Sequence, residues 1–126
     1  PLTFMNNSGI CIRELIEYFK INSKDVIVFH DDLDINFGKI KAKFGGASAG
    51  HNGIESIDKF IGKDYSRVRI GIGKPNGETN VADHVLKNFD QEEKQELENI
   101  TNSIINSLKI LLDKKLELFS STVNNK

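Results

Sequence analysis

Four apolar residues, three of them β-branched, run straight into a cluster of ionisable ones in Val26-Ile-Val-Phe-His-Asp-Asp-Leu-Asp34. A short, wholly apolar run of this kind predicts a strand buried on both faces, as at the centre of an α/β sheet. Open α/β sheets place their ligands beyond the carboxyl ends of their strands, which is where His30, Asp31, Asp32 and Asp34 fall. The plainer alternative for these acids is a solvated turn. A chain of 126 residues is long enough for one real core, so a single domain over 1–126 is expected.

The segments around this strand alternate between helical and strand periods. Asn7 or Ser8 can cap a helix over about 9–20, with Ile12, Leu15, Ile16 and Phe19 on one face. Cys11 lies beside that face as a small core filler, and Asn22-Ser-Lys-Asp25 breaks the helix ahead of the strand. Lys39-Ile-Lys-Ala-Lys-Phe44 has the period of a strand with one wet face, so Lys39, Lys41 and Lys43 point the same way. Those lysines read either as charge protecting an edge strand or as contacts for phosphates. Arg67-Val-Arg-Ile-Gly-Ile-Gly73 alternates likewise, with Arg67 and Arg69 on one face that also reads as phosphate contacts.

Between the lysine strand and a helix at about 54–61 lies Gly45-Gly-Ala-Ser-Ala-Gly-His-Asn-Gly53. Small residues let a backbone bend sharply and let a ligand approach closely. The loop matches neither phosphate-binding glycine pattern, and its polar content is His51 and Asn52 at the helix start. A short helix is expected from Val81 to Phe89, including His84. Asp90-Gln-Glu-Glu93 has the form of a capping box and opens a long last helix. That helix is expected to bury Leu97, Ile100, Ile104, Leu108, Leu111 and Leu112, with Ser120–Lys126 as a frayed polar tail.

Composition narrows the chemistry. A net charge of −1 carries no bulk basicity, so a nucleic-acid contact would need a local patch. The single cysteine, Cys11, excludes an intramolecular disulfide and a zinc–thiolate site, and suits a reducing, cytoplasmic setting. No apolar run approaches the ~20 residues of a membrane span. His30 and Asp31 could start a metal site, but neighbours on a strand face opposite ways and no second ligand pair is evident. A metal-free hydrolase would draw on Asp31 at the strand tip and on the amides of Asn6 and Asn52 at element ends.

Four blocks, in order and at consistent spacing, resemble the bacterial peptidyl-tRNA hydrolase family: Pro1-Leu-Thr-Phe-Met-Asn-Asn-Ser-Gly9, Phe29-His-Asp-Asp-Leu-Asp34, Gly45–Gly53 and Arg67–Gly73. The resemblance implies a monomeric α/β fold, with a twisted mixed sheet flanked by helices and a long C-terminal helix. It implies hydrolysis of the ester joining a peptide to tRNA in the cytoplasm, without metal, cofactor, membrane or obligate protein partner. By motif, Asp31 resembles the acid that orients the catalytic histidine, and Asn6 and Asn52 the amides that hold substrate and water. Phe4 and Met5 resemble walls of the cleft, His51 belongs to the loop motif, and Lys43 and Arg69 fall where the family reaches tRNA phosphates.

Two departures qualify the resemblance. Ala49 stands where the family usually has glycine, a change tolerated if φ there is negative. The family's block with a Gly-Asn-Pro-Gly loop, a tyrosine and a Thr-Arg-His-Asn segment is absent, and its histidine is the general base. The sequence is therefore expected to be a truncated part of a longer enzyme. A molecule truly starting at Pro1 should expose the apolar residues of 26–29 and be inactive, binding tRNA at most.

Overall fold

A computed structural model describes residues 8–48, 50–74 and 89–125 of the chain. The described elements are α1 (Ser8–Phe19), β1 (Ile27–Asp32), β2 (Ile40–Phe44), α2 (Asn52–Ile61), β3 (Ser66–Gly71), α3 (Gln91–Asn106), α4 (Leu108–Leu112) and α5 (Leu116–Asn124). A single 3-10 turn, Ser23–Asp25, precedes β1, its first amides held by Asn22, whose side chain accepts from the Lys24 N–H. Residues 81–88 of the expected helix at Val81–Phe89 and the cap residue Asn7 lie outside the described residues, as do Phe4, Met5, Asn6, Ala49 and His84.

The sheet order is β1-β3-β2. The Ser66 N–H donates to Val26 O, and the Ile72 N–H to Asp32 O, a register that rises on both strands and makes β1 and β3 parallel. Gly45 pairs with Tyr65 and Gly71 with Lys39, so β2 runs antiparallel to β3. The sheet is mixed, as expected. Its middle strand is β3, whereas the apolar run of 26–29 pointed to β1. Phe29 is 44% exposed and β1 is an edge among the described strands, so burial on both faces does not hold for it. An apolar run reads the same whether or not a neighbour covers it.

The chain divides into two compact units, the first from Pro1–His30 with Lys43–Val68, the second from Asp31–Ala42 with Arg69–Lys126. In the first, Ile54, Ile57 and Tyr65 form a buried cluster, with Ile12, Val26, Val28 and Ile61 packed on it. Helix α1 meets α2 closely because Gly9 has no side chain. A Cβ there would run into the Ser56 carbonyl and the Phe60 ring, and the Gly9 N–H donates to Ser56 Oγ at 3.0 Å. Of the predicted α1 face, Ile12 and Ile16 are half-buried, but Leu15 and Phe19 are exposed.

In the second unit the capping box forms as expected. Asp90 Oδ1 accepts from the Glu93 N–H at 2.8 Å, and Glu93 Oε1 accepts from the Asp90 N–H at 3.1 Å. The long helix α3 ends at Asn106 rather than running on to Leu112. Ser107 is buried, its N–H shared between the Ser103 and Ile104 carbonyls, and α4 starts after it. Leu108 and Leu112 are consequently exposed while Leu111 is buried. A left-handed residue, Lys114 (φ 61°), then turns the chain into α5.

Helix α5 corrects the expectation of a frayed tail. Phe119 and Val123, four residues apart on one face, are both buried. Its polar face closes the outer edge of β2. Asn124 Oδ1 accepts from the Ile40 N–H and Asn124 Nδ2 donates to Ile40 O, each at 2.8 Å. Ser120 Oγ accepts from the Ala42 N–H at 2.8 Å and donates to Leu116 O. The amide side chain stands in for a neighbouring strand, so this edge is protected by hydrogen bonds as well as by lysines.

Candidate active site

The first unit holds the small-residue loop and the residues at its end. Gly45, Gly46 and Gly50 take φ values of 70°, 103° and 81°, which side chains resist, and this explains the run of glycines. His51 is the N-cap of α2: its Nδ1 accepts from the Ile54 N–H at 3.2 Å. An imidazole accepting at Nδ1 carries its proton on Nε2. The ring of His30 packs edge-on against that of His51, with centroids 5.0 Å apart and planes at 66°. Asn52, the first residue of α2, is exposed. Lys43 is exposed on β2, its side chain beside Gly46, where a Cβ would lie 3.5 Å from the Lys43 Nζ.

Arg67 departs from the reading of the arginine face as phosphate contacts. It is only 2% exposed. Its Nη2 donates to Asp58 Oδ1 at 2.8 Å and its Nη1 donates to Ala47 O at 3.2 Å. The Tyr65 hydroxyl donates to the same Asp58 oxygen at 2.6 Å. Burial, then the bond to Asp58, pushes the Tyr65 phenol well above its ordinary range and keeps it un-ionised. The alternation of the strand was legible, but which face meets a helix was not.

The second unit holds Asp31 and Arg69. Asp31 is half-buried near the end of β1. Its neighbour Asp32, singled out for no role by the sequence, is buried and does two things. Oδ1 accepts from the Asp34 N–H at 2.8 Å, closing the turn after the strand, and Oδ2 faces Arg69 Nη1 at 3.5 Å. The Arg69 side chain is 32% exposed, and Asp32 holds its guanidinium from one side. The Asp-x-Asp spacing of an Asx turn was the available signal. Lys74 adds a loose, exposed ion pair with Asp34 at 3.7 Å. Among the described residues, no group of three or more His, Cys, Asp or Glu could hold a metal ion, and no helix is long and apolar enough to cross a membrane.

A glycine-rich loop ending in a histidine-capped helix, and a strand ending in paired acids, coincide with two of the four sequence blocks. The profile of the peptidyl-tRNA hydrolase family matches residues 1–126. The chain belongs to the peptidyl-tRNA hydrolase family. A peptidyl-tRNA hydrolase of Pelagibacter ubique is 78% identical over 126 residues, covering all of this chain and 68% of that protein. One of Aliarcobacter butzleri is 51% identical over 111 residues, covering 88% of this chain and 61% of its own length. The crystal structure of peptidyl-tRNA hydrolase from Acinetobacter baumannii superposes with a TM-score of 0.87 at 31% identity, over 98% of this chain and 63% of that one. The chain thus spans about two thirds of the length of these family members.

Proposed function

We propose that residues 1–126 form a single domain of a peptidyl-tRNA hydrolase, which cleaves the ester between a peptide and the tRNA 3′ end in the cytoplasm, as a monomer without metal or cofactor. The observation that carries the reading is the family match across the whole chain. In the proposed mechanism water attacks the ester carbonyl, and a histidine base outside these 126 residues takes its proton. Asp31 orients that histidine and stabilises its protonated form, as a buried carboxylate does for imidazole in hydrolases generally. Asn6 and Asn52 position the water and the carbonyl, Phe4 and Met5 wall the cleft, and His51 offers an Nε2–H donor.

The hydrogen bond to His51 Nδ1 supports a binding role for this residue over that of general base, because one of its nitrogens is already committed to the helix cap. Lys43 and Arg69 contact tRNA phosphates, which position substrate without reading sequence. The second reading is a tRNA-binding fragment without catalysis, favoured by the lack of a matching histidine block in these residues. Release of peptide from an N-blocked aminoacyl-tRNA decides between them. Turnover that falls with Asp31→Asn supports the hydrolase. Salt-sensitive tRNA binding with no turnover supports the fragment.

A further inference from the structure

Arg67, Asp58 and Tyr65 form a buried polar cluster that the proposed chemistry does not use. Arg67 Nε is buried and has no hydrogen-bond partner among the described residues, and the guanidinium lies 4.6 Å over the Tyr65 ring. Buried ion pairs are often no more stabilising than apolar residues of the same volume, because desolvation offsets the attraction. What such a pair can supply is a fixed geometry. Here one arm of the guanidinium is held by Asp58 and the other reaches out to the Ala47 carbonyl.

That carbonyl belongs to a loop of small residues. Residues 45–48 are Gly, Gly, Ala and Ser, which bring almost no side-chain surface to pack. Its position therefore depends on hydrogen bonds. The Gly45 N–H donates to Tyr65 O, Ala47 O accepts from Arg67, and Ser48 O accepts from the His51 N–H. The Ser48 hydroxyl donates to Glu55 Oε1 at 3.2 Å. Gly45 ties the start of the loop to Tyr65, just ahead of β3, and Ser48 ties its end to α2. Arg67 holds the middle.

We infer that Arg67 is a positioning residue, acting through Ala47 O to hold the loop that sets His51 and Asn52 in place. This rests on the hydrolase reading only for what the loop then does. Asp58 aims the guanidinium, and the Tyr65 hydroxyl occupies another lone pair of the Asp58 oxygen. A lysine at 67 can meet Asp58 but lacks the planar fork that spans both acceptors.

The test compares three variants of the full chain by amide exchange over 45–53, with global unfolding measured in parallel. Arg67→Lys removes the fork. The double variant Asp58→Leu/Arg67→Met replaces the ion pair by apolar volume and keeps the protein folded should the lysine form fail. Tyr65→Phe removes a bond in the same cluster that does not touch the loop. Exchange about five- to tenfold faster in the loop is expected for the first two, the effect of losing one hydrogen bond, and unchanged loop exchange for Tyr65→Phe. In peptidyl-tRNA hydrolysis the first two should lower kcat with KM for the tRNA unchanged. Loop exchange that merely follows global stability in all three variants would overturn the inference. Absence of turnover in the unaltered protein would sink the hydrolase reading instead, and the exchange contrast would still decide this one.

Discussion

Replacing Asn124 by alanine tests whether the last helix closes the sheet. The Asn124 side chain makes two 2.8 Å hydrogen bonds to the N–H and C=O of Ile40, a residue with no exposed surface. Asn124→Ala leaves one donor and one acceptor on the β2 edge without a partner. Each orphaned backbone group costs roughly 1–3 kcal/mol when water cannot reach it. Asn124 itself is half-buried, so water partly replaces the amide, and the expected loss is about 2–3 kcal/mol. Ser120→Ala removes the one bond to the Ala42 N–H and should cost about 1 kcal/mol. Asn124→Asp keeps an acceptor for the Ile40 N–H but sets a carboxylate against Ile40 O, so it should not rescue. Urea unfolding at constant m reads the loss, and hydrogen exchange at the Ile40 amide reads its location. A loss below about 0.5 kcal/mol for Asn124→Ala, with the Ile40 amide still protected, would refute the strand-substitute account.

Other perturbations probe the remaining contacts. Gly9→Ala should destabilise the first unit by about 1–3 kcal/mol, since the added Cβ meets the Ser56 backbone rather than a side chain that can move; thermal or urea unfolding measures it. Asp32→Ala should loosen the turn at Asp34 and release Arg69 from its ion pair, and the slope of tRNA affinity against salt concentration reports any change in phosphate contact. Tyr65 gives a pH signature. Its folded-state pKa is raised, so above the unfolded phenol value of 10.0 the unfolded chain loses its proton first. Stability is then whole below pH 10 and falls as pH rises beyond it, and Tyr65→Phe should remove that part of the slope in urea titrations taken at successive pH values.

What the sequence made legible was local chemistry. The box of Asp90 and Glu93, the lysines alternating on β2 and the loop ending at His51 follow from short-range rules, and all appear where their residues are. Features that depend on a distant partner were not legible. Val26–Phe29 promised a central strand, yet its exposure depends on what lies beside it. Arg67 and Arg69 share one face by period, but only Arg67 meets Asp58, nine residues earlier on a helix, and loses access to solvent. Ser120 and Asn124 looked like a soluble tail because their partners, Ala42 and Ile40, are about eighty positions away in the chain. The buried Phe119 and Val123 were the cue that a helix continued there.

The site is legible to the same extent. Asp31 and Asn52 were singled out by type and place and His51, Lys43 and Arg69 by the resemblance, and the structure adds how two of these candidates are held. His51 has its tautomer set by the cap, and Arg69 has a partner in Asp32. Asp32 escaped notice because a second acid beside a first reads as redundant charge until its two oxygens are assigned.

The most direct measurement is the rate of peptide release from an N-blocked aminoacyl-tRNA by the protein with Asp31 and with Asp31→Asn, tRNA affinity being measured on the same samples. The expected result is a fall in kcat of about a hundredfold to ten-thousandfold, the range for neutralising a carboxylate that orients a histidine base, with affinity for tRNA unchanged. Full turnover by Asp31→Asn would contradict it.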